Sequence, residues 1–101
     1  MSTRRDVRVT QDFFDRLDSK LKAYKDAGHI PVPSPTNFLL HELPRIINQL
    51  AEDYEGSTEP LSDDPFIRLW VDQGRYIALI GVYTTLADDG AVEVLSIDME
   101  L

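Results

Sequence analysis

The apolar residues of this chain change their repeat once, from about 3.6 residues to about 2, across the polar stretch from Ser57 to Asp64. Before it, Phe13, Leu17, Leu21 and Tyr24 follow one another at spacings of four, four and three, and Phe14 widens that stripe. A second stripe runs through Leu39, Leu43, Ile46 or Ile47, Leu50 and Tyr54. After it, Phe66 to Val71, Arg75 to Thr84 and Ala91 to Asp98 read as strands, and Asp6-Val-Arg-Val-Thr10 alternates as a short first strand. Helices grouped together and strands grouped together argue for an α+β domain. The expected order is strand, two helices, then a three-stranded antiparallel meander, with both helices packed on one face of the sheet.

The punctuation between these segments is chemically specific. Thr10 is placed to cap the first helix, Asp12 suits its first turn, and Gly28 is the expected C-cap. His29-Ile-Pro-Val-Pro-Ser-Pro35 carries prolines at alternate positions, the pattern of a stiff extended spacer. Ser34-Pro35 then has the N-cap and first-turn chemistry of a second helix. Pro44 falls inside that helix, where it removes a backbone bond, so the helix is expected to kink or split there and to end near Glu55 with Gly56 as C-cap. Asp72-Gln-Gly74 reads as a tight hairpin turn with a positive φ at glycine, and Asp88-Asp-Gly90 as the next turn.

With 101 residues, 43% of them hydrophobic and 28% charged, the chain has the size and composition of a single globular domain, residues 1–101. It has no cysteine, which excludes disulfides, cysteine-ligated zinc and a thiolate nucleophile. No leader-like segment and no apolar run of membrane-spanning length is found, so a cytoplasmic protein without membrane contact is expected. The net charge of -8 is unevenly spread. Residues 1–26 hold seven bases and five acids, net +2, and residues 27–101 hold three bases and 13 acids, net -10. Such a field repels phosphate backbones and favours basic partners, so direct DNA binding is not expected.

Few constellations carry chemistry. His29 and His41 have no ligand spacing around them, and neither a glycine-rich phosphate loop nor a nucleophile elbow is present, so no cofactor or metal is expected. Asp63-Asp64 and Asp88-Asp89 read as turn chemistry before they read as cation or acid/base pairs. Arg68 and Arg75 fall on neighbouring strands, where they would either hold a phosphate or carboxylate or serve as cross-strand partners of Asp72, Glu93 or Asp98. Phe66, Arg68 and Trp70 share one strand face, which is expected to be half exposed and, with Arg75, to bind a partner. The acidic stretches 52–64 and 86–90 are either contact surfaces or solvated.

The segment Phe66-Ile-Arg-Leu-Trp-Val-Asp-Gln-Gly-Arg-Tyr-Ile-Ala-Leu79 is similar to a strand–turn–strand pattern of the RelE/ParE toxin superfamily of bacterial toxin–antitoxin systems. Val92-Glu-Val-Leu-Ser-Ile97 resembles that family's last strand, and Val7-Arg-Val-Thr10 running into an aromatic-rich helix resembles its opening. The resemblance implies the same element order. It also implies that Arg68 and Arg75 match two basic residues with which ribosome-dependent RNA-cleaving members hold and polarise the scissile phosphate. Members close on a basic tail where this chain has Asp98-Met-Glu-Leu101, and Ser62-Asp-Asp-Pro65 stands where a lysine-rich approach is usual. These departures favour the branch that resembles ParE, which acts by binding DNA gyrase without nuclease residues. The expectation is therefore an acidic protein-binding domain without nuclease activity, partnered by an antitoxin or an inhibited target. An acidic inhibitor or immunity-type protein that occupies a basic surface is the alternative, and a ribosome-dependent ribonuclease the second.

Overall fold

Strand gives way to helix at Thr10, whose hydroxyl oxygen accepts from the Phe13 N–H at 3.4 Å and donates to the Val94 carbonyl at 2.9 Å. The structure, a computed structural model, describes residues 4–28, 33–75 and 77–100. From Thr10 the chain runs back from β1 (Val7–Val9) into α1 (Gln11–Asp26). Phe13, Leu17 and Leu21 are buried as their spacing predicts. The helix closes with Gly28 at φ +85°, a conformation glycine adopts without a Cβ penalty. Residues 29–32 of the proline spacer lie outside the described residues.

The second helical run starts as its sequence demands and then changes ladder. Ser34 accepts from the Asn37 N–H at 3.1 Å, opening a short turn, α2 (Pro35–Asn37). A π-helical segment, Phe38–Glu42, follows, and α3 (Leu43–Glu52) continues directly from it. The Leu43 N–H bonds to the Phe38 carbonyl, five residues back. Pro44 therefore falls in the first turn of α3, where its missing N–H is least needed. The expected break at Pro44 is absorbed one turn earlier, as a wider turn. That turn shifts the buried face by one residue, so Phe38 is fully buried while Leu39 and Leu40 are 37% and 65% exposed. Leu39 is thus not a core residue, contrary to its place in an uninterrupted stripe.

The helix also ends earlier than Glu55. Asp53 leaves helical geometry, and its carboxylate accepts from the Gly56 N–H at 3.1 Å, capping a short α4 (Tyr54–Ser57). Gly56 lies inside α4 and caps nothing. A two-residue edge strand, β2 (Glu59–Pro60), then appears inside the stretch expected to be loop.

The sheet has five strands in the order β1-β5-β4-β3-β2, with β3 at Arg68–Asp72, β4 at Leu79–Leu86 and β5 at Val92–Glu100. β1 runs parallel to β5, so the sheet is mixed and not wholly antiparallel. The β3–β4 connection is longer than the expected tight hairpin. Asp72 pairs with Ile80, and Gly74 closes a loop by donating to the Ile77 carbonyl at 2.8 Å, without a positive φ. The second turn is as expected, with Gly90 at φ +87°. On β5, Tyr83 faces Ser96 but Thr84 faces Val94, leaving Leu95 as an extra residue. That bulge moves the buried set from Val92 and Val94 to Ile97 and Met99 without turning the strand over.

All inward positions meet the helices on one face, as expected. Trp70, Ile80, Val82, Val92, Val94, Ile97 and Met99 pack in a single cluster with Phe13, Leu17, Leu21, Phe38, Ile46, Leu50 and Tyr54. Both ends of the sheet are partly covered. Beyond Val9, the exposed carbonyls of β5 accept from α1: Arg16 Nε bonds Ile97 at 3.0 Å and the Tyr24 hydroxyl bonds Met99 at 2.7 Å. Beyond the short β2, Arg45 donates to the Gln73 carbonyl at 2.9 Å.

Candidate functional site

Strand β3 alternates as the sequence predicts, but with its two faces exchanged. Trp70 is 1% exposed and donates its indole N–H to Gln49 Oε1 at 2.8 Å. The Arg45 guanidinium lies 5.4 Å from its ring centroid. Arg68 is turned inward too. Its Nε donates to Thr58 Oγ1 at 2.7 Å and a terminal nitrogen donates to the Thr58 and Glu55 carbonyls at 2.8 and 3.1 Å, with the Tyr54 ring 5.8 Å away. It closes the C-terminal end of α4 and ties it to the sheet. The helices cover this face, and the half-exposed face is the other one.

Phe66 lies ahead of β3 in a turn and is 83% exposed. Its backbone is held by Asp64 Oδ1, which accepts from its N–H at 3.1 Å, and by the Thr85 hydroxyl, which donates to its carbonyl at 2.8 Å. Arg75 lies in the β3–β4 connection. It lines a pocket of about 100 Å³ with Phe38, His41, Glu42 and Ile77. Arg68 and Arg75 therefore serve opposite ends of β3, which spans about 13 Å from Arg68 to Asp72. The structure does not bring them together as a two-arginine anion clamp.

Sequence reasoning missed the residues on the uncovered face. Leu69 and Val71 from β3 and Leu79 and Tyr83 from β4 point away from the helices, with Val71 48% and Leu79 41% exposed. Gly81 sits among them opposite Val71, and a Cβ there would meet Leu69 Cδ1 at 3.5 Å. The strip is flanked by acids on both sides. Glu59 of β2 stands opposite Leu69, Asp98 of β5 opposite Gly81, and Glu100 opposite Leu79. Glu59 and Glu100 are exposed and pair with no described cation. Asp98 is tied to Lys20 of α1 at 2.6 Å. The Lys20 ammonium is the largest influence holding the Asp98 carboxyl below its usual range, and the Met99 N–H adds to it.

No family model, curated protein or solved structure matches the chain. The site therefore has to be judged on its own geometry. The signal for it was present in the sequence. Trp70 alternates with Leu69 and Val71, and the indole has the most apolar area to bury and a Gln49 one helix away to satisfy its N–H.

The acidic loops are partly structural. Arg5 bonds Glu55 at 3.0 Å, Arg4 bonds Glu52 at 3.1 Å, and Arg8 pairs with Asp89. The Ala91 backbone N–H, followed by Arg8, holds the Asp89 carboxyl below its usual value. Among the described residues no group of three or more His, Asp and Glu side chains is placed to hold a metal ion. His29 lies outside those residues. Among the described residues no helix is long and apolar enough to cross a membrane.

Proposed function

We propose that the chain is a cytoplasmic protein-binding domain of the RelE/ParE kind that acts by occupying a protein target, without nuclease chemistry. One observation supports this above others: the sheet carries helices on one face only, and the other presents Leu69, Val71, Leu79 and Tyr83 between carboxylates. Apolar side chains held on a rigid sheet with a polar rim are the anatomy of a protein interface. The nuclease reading draws less support from the geometry. Cleavage of RNA needs cations gathered around one phosphate, and Arg68 spends its donors on Thr58 and Glu55 while Arg75 lies in a separate loop.

The test is growth of a bacterial host under regulated expression of the wild type, a Val71→Glu/Leu79→Glu variant and Arg75→Ala. Arrest is expected for the wild type and for Arg75→Ala, and is expected to be lost in the open-face variant at equal soluble level. Growth unaffected by the wild type overturns the toxin part of the reading. It then favours the second reading, an acidic inhibitor of a basic target, which the net -10 of residues 27–101 supports.

A further inference from the structure

Resting on the open face as the docking surface, we infer that the partner segment is a basic amphipathic α-helix lying along β3 and β4. The geometry of the acids sets its shape. Glu59 on β2 and the Asp98–Glu100 pair on β5 lie on strands three spacings apart, about 14 Å across the sheet, with the pair displaced two and four residues along it. An α-helix with its side chains is about 10–12 Å across, so one resting on the apolar strip places lysines or arginines of one flank over Glu59 and of the other over Asp98 and Glu100. Gly81 keeps the middle of the strip low, between Leu79 and Tyr83. The eight residues of β4 span about 27 Å, the length of a helix of about 18 residues.

The rival occupants meet specific obstacles. An extended peptide adds itself to a sheet edge, and here α1 covers the edge of β5, while the part of β3 beyond β2 is only Trp70 to Asp72 long and is followed by a Gln73 carbonyl already taken by Arg45. A second copy of this chain would set Glu59, Glu100 and a net charge of -8 against their own kind. An acidic segment or a nucleic acid meets the same repulsion.

The probe is an 18-residue amphipathic peptide of leucine and lysine, with a leucine–glutamate peptide of the same pattern as its control. Each is titrated into the isotope-labelled full chain while the backbone amides are followed. The lysine peptide is expected to move the amides of Leu69, Val71, Leu79 and Tyr83, with affinity falling several-fold as salt rises to about physiological strength. Glu59→Lys/Glu100→Lys, two exposed changes that leave the core untouched, is expected to reverse the preference to the glutamate peptide. Perturbation confined to residues 52–57 and 86–90, or binding of the glutamate peptide to the wild-type face, overturns the basic-helix assignment and leaves a docking domain with other partner chemistry. If neither peptide moves the face, the docking surface itself fails with it. A dimer in sedimentation that protects Val71 and Tyr83 overturns the assignment in favour of a second copy.

Discussion

The two faces of the sheet are built from the same strands and differ in what they cost to change. On the covered face, Trp70, Ile80, Val82 and Ile97 are at most 1% exposed and every buried polar side-chain atom among the described residues has a partner. On the open face, the alternating residues Leu69, Val71, Leu79 and Tyr83 are half-buried or exposed. An antiparallel hairpin region tolerates such one-sided burial. The difference separates what holds the fold from what is free to meet a partner, and single substitutions can sharpen or break it.

The largest effect is expected at the covered face. Ile46→Ala and Trp70→Ala each leave a cavity under the helices, and a loss of about 3–5 kcal/mol is expected for either. Val71→Ala on the same strand is expected to cost under about 1 kcal/mol. Urea denaturation of the three variants checks the contrast, and a Val71 cost equal to that of Trp70 would sink the division into faces.

Arg68 comes next. Arg68→Ala strips donors from the Thr58 and Glu55 carbonyls and uncovers the Tyr54 ring, at an expected cost of about 1–3 kcal/mol. The growth arrest proposed for the wild type should be unchanged by it at matched folded level. A variant of full stability that loses arrest would return Arg68 to the binding surface. Below it stands the buried pair Tyr54–Thr84, whose hydroxyls lie 3.0 Å apart, with Thr84 also donating to the Arg68 carbonyl at 2.8 Å. Thr84→Val leaves the Tyr54 hydroxyl without that partner, and a loss of about 1–2 kcal/mol in the same denaturation experiment is expected. No loss would mean that water already serves the hydroxyl.

How legible these features were depends on whether they are local. The α1 stripe, its Thr10 cap and the turns at Gly28 and Gly90 are properties of adjacent residues, and they stand as the sequence predicts. The one-residue slip at Phe38 is not local in that sense. It follows from a π turn ahead of Pro44, and an uninterrupted repeat of about 3.6 points to Leu39 instead. The parallel pairing of β1 with β5 joins residues some 85 apart in the chain, beyond the reach of any pattern within a window. The open face was half legible. Alternation grouped Leu69 with Val71 correctly, but which group faced the helices depended on Gln49, Thr58 and Tyr54 satisfying Trp70 and Arg68. Polar partners supplied from another element turned an arginine inward, and composition alone places it outside.

The smallest effect concerns Asp98, which belongs to the open face but is tied around the sheet edge to Lys20 of α1. Both side chains retain solvent contact, 51% for Asp98 and 30% for Lys20, so the pair contributes under about 1 kcal/mol. Its sign is fixed by the direction of the shift. The Asp98 carboxyl is held below its usual 3.8, chiefly by Lys20, so its contribution is fully present above the unfolded value and is lost as pH falls through the lower folded one. The stability difference between wild type and Asp98→Asn should therefore be constant near neutral pH and shrink as pH falls through the lowered folded value of Asp98. Denaturation of both at the two ends of that range is the measurement, and a difference that persists or widens in acid rules out the Lys20 tie as its source. The same pair bears on the partner, because an incoming cation must compete with Lys20 for Asp98 but finds Glu59 and Glu100 uncontested among the described residues. A basic helix should then lose more affinity from Glu59→Gln or Glu100→Gln than from Asp98→Asn, and the reverse ranking would place the helix nearer to α1 than to β3.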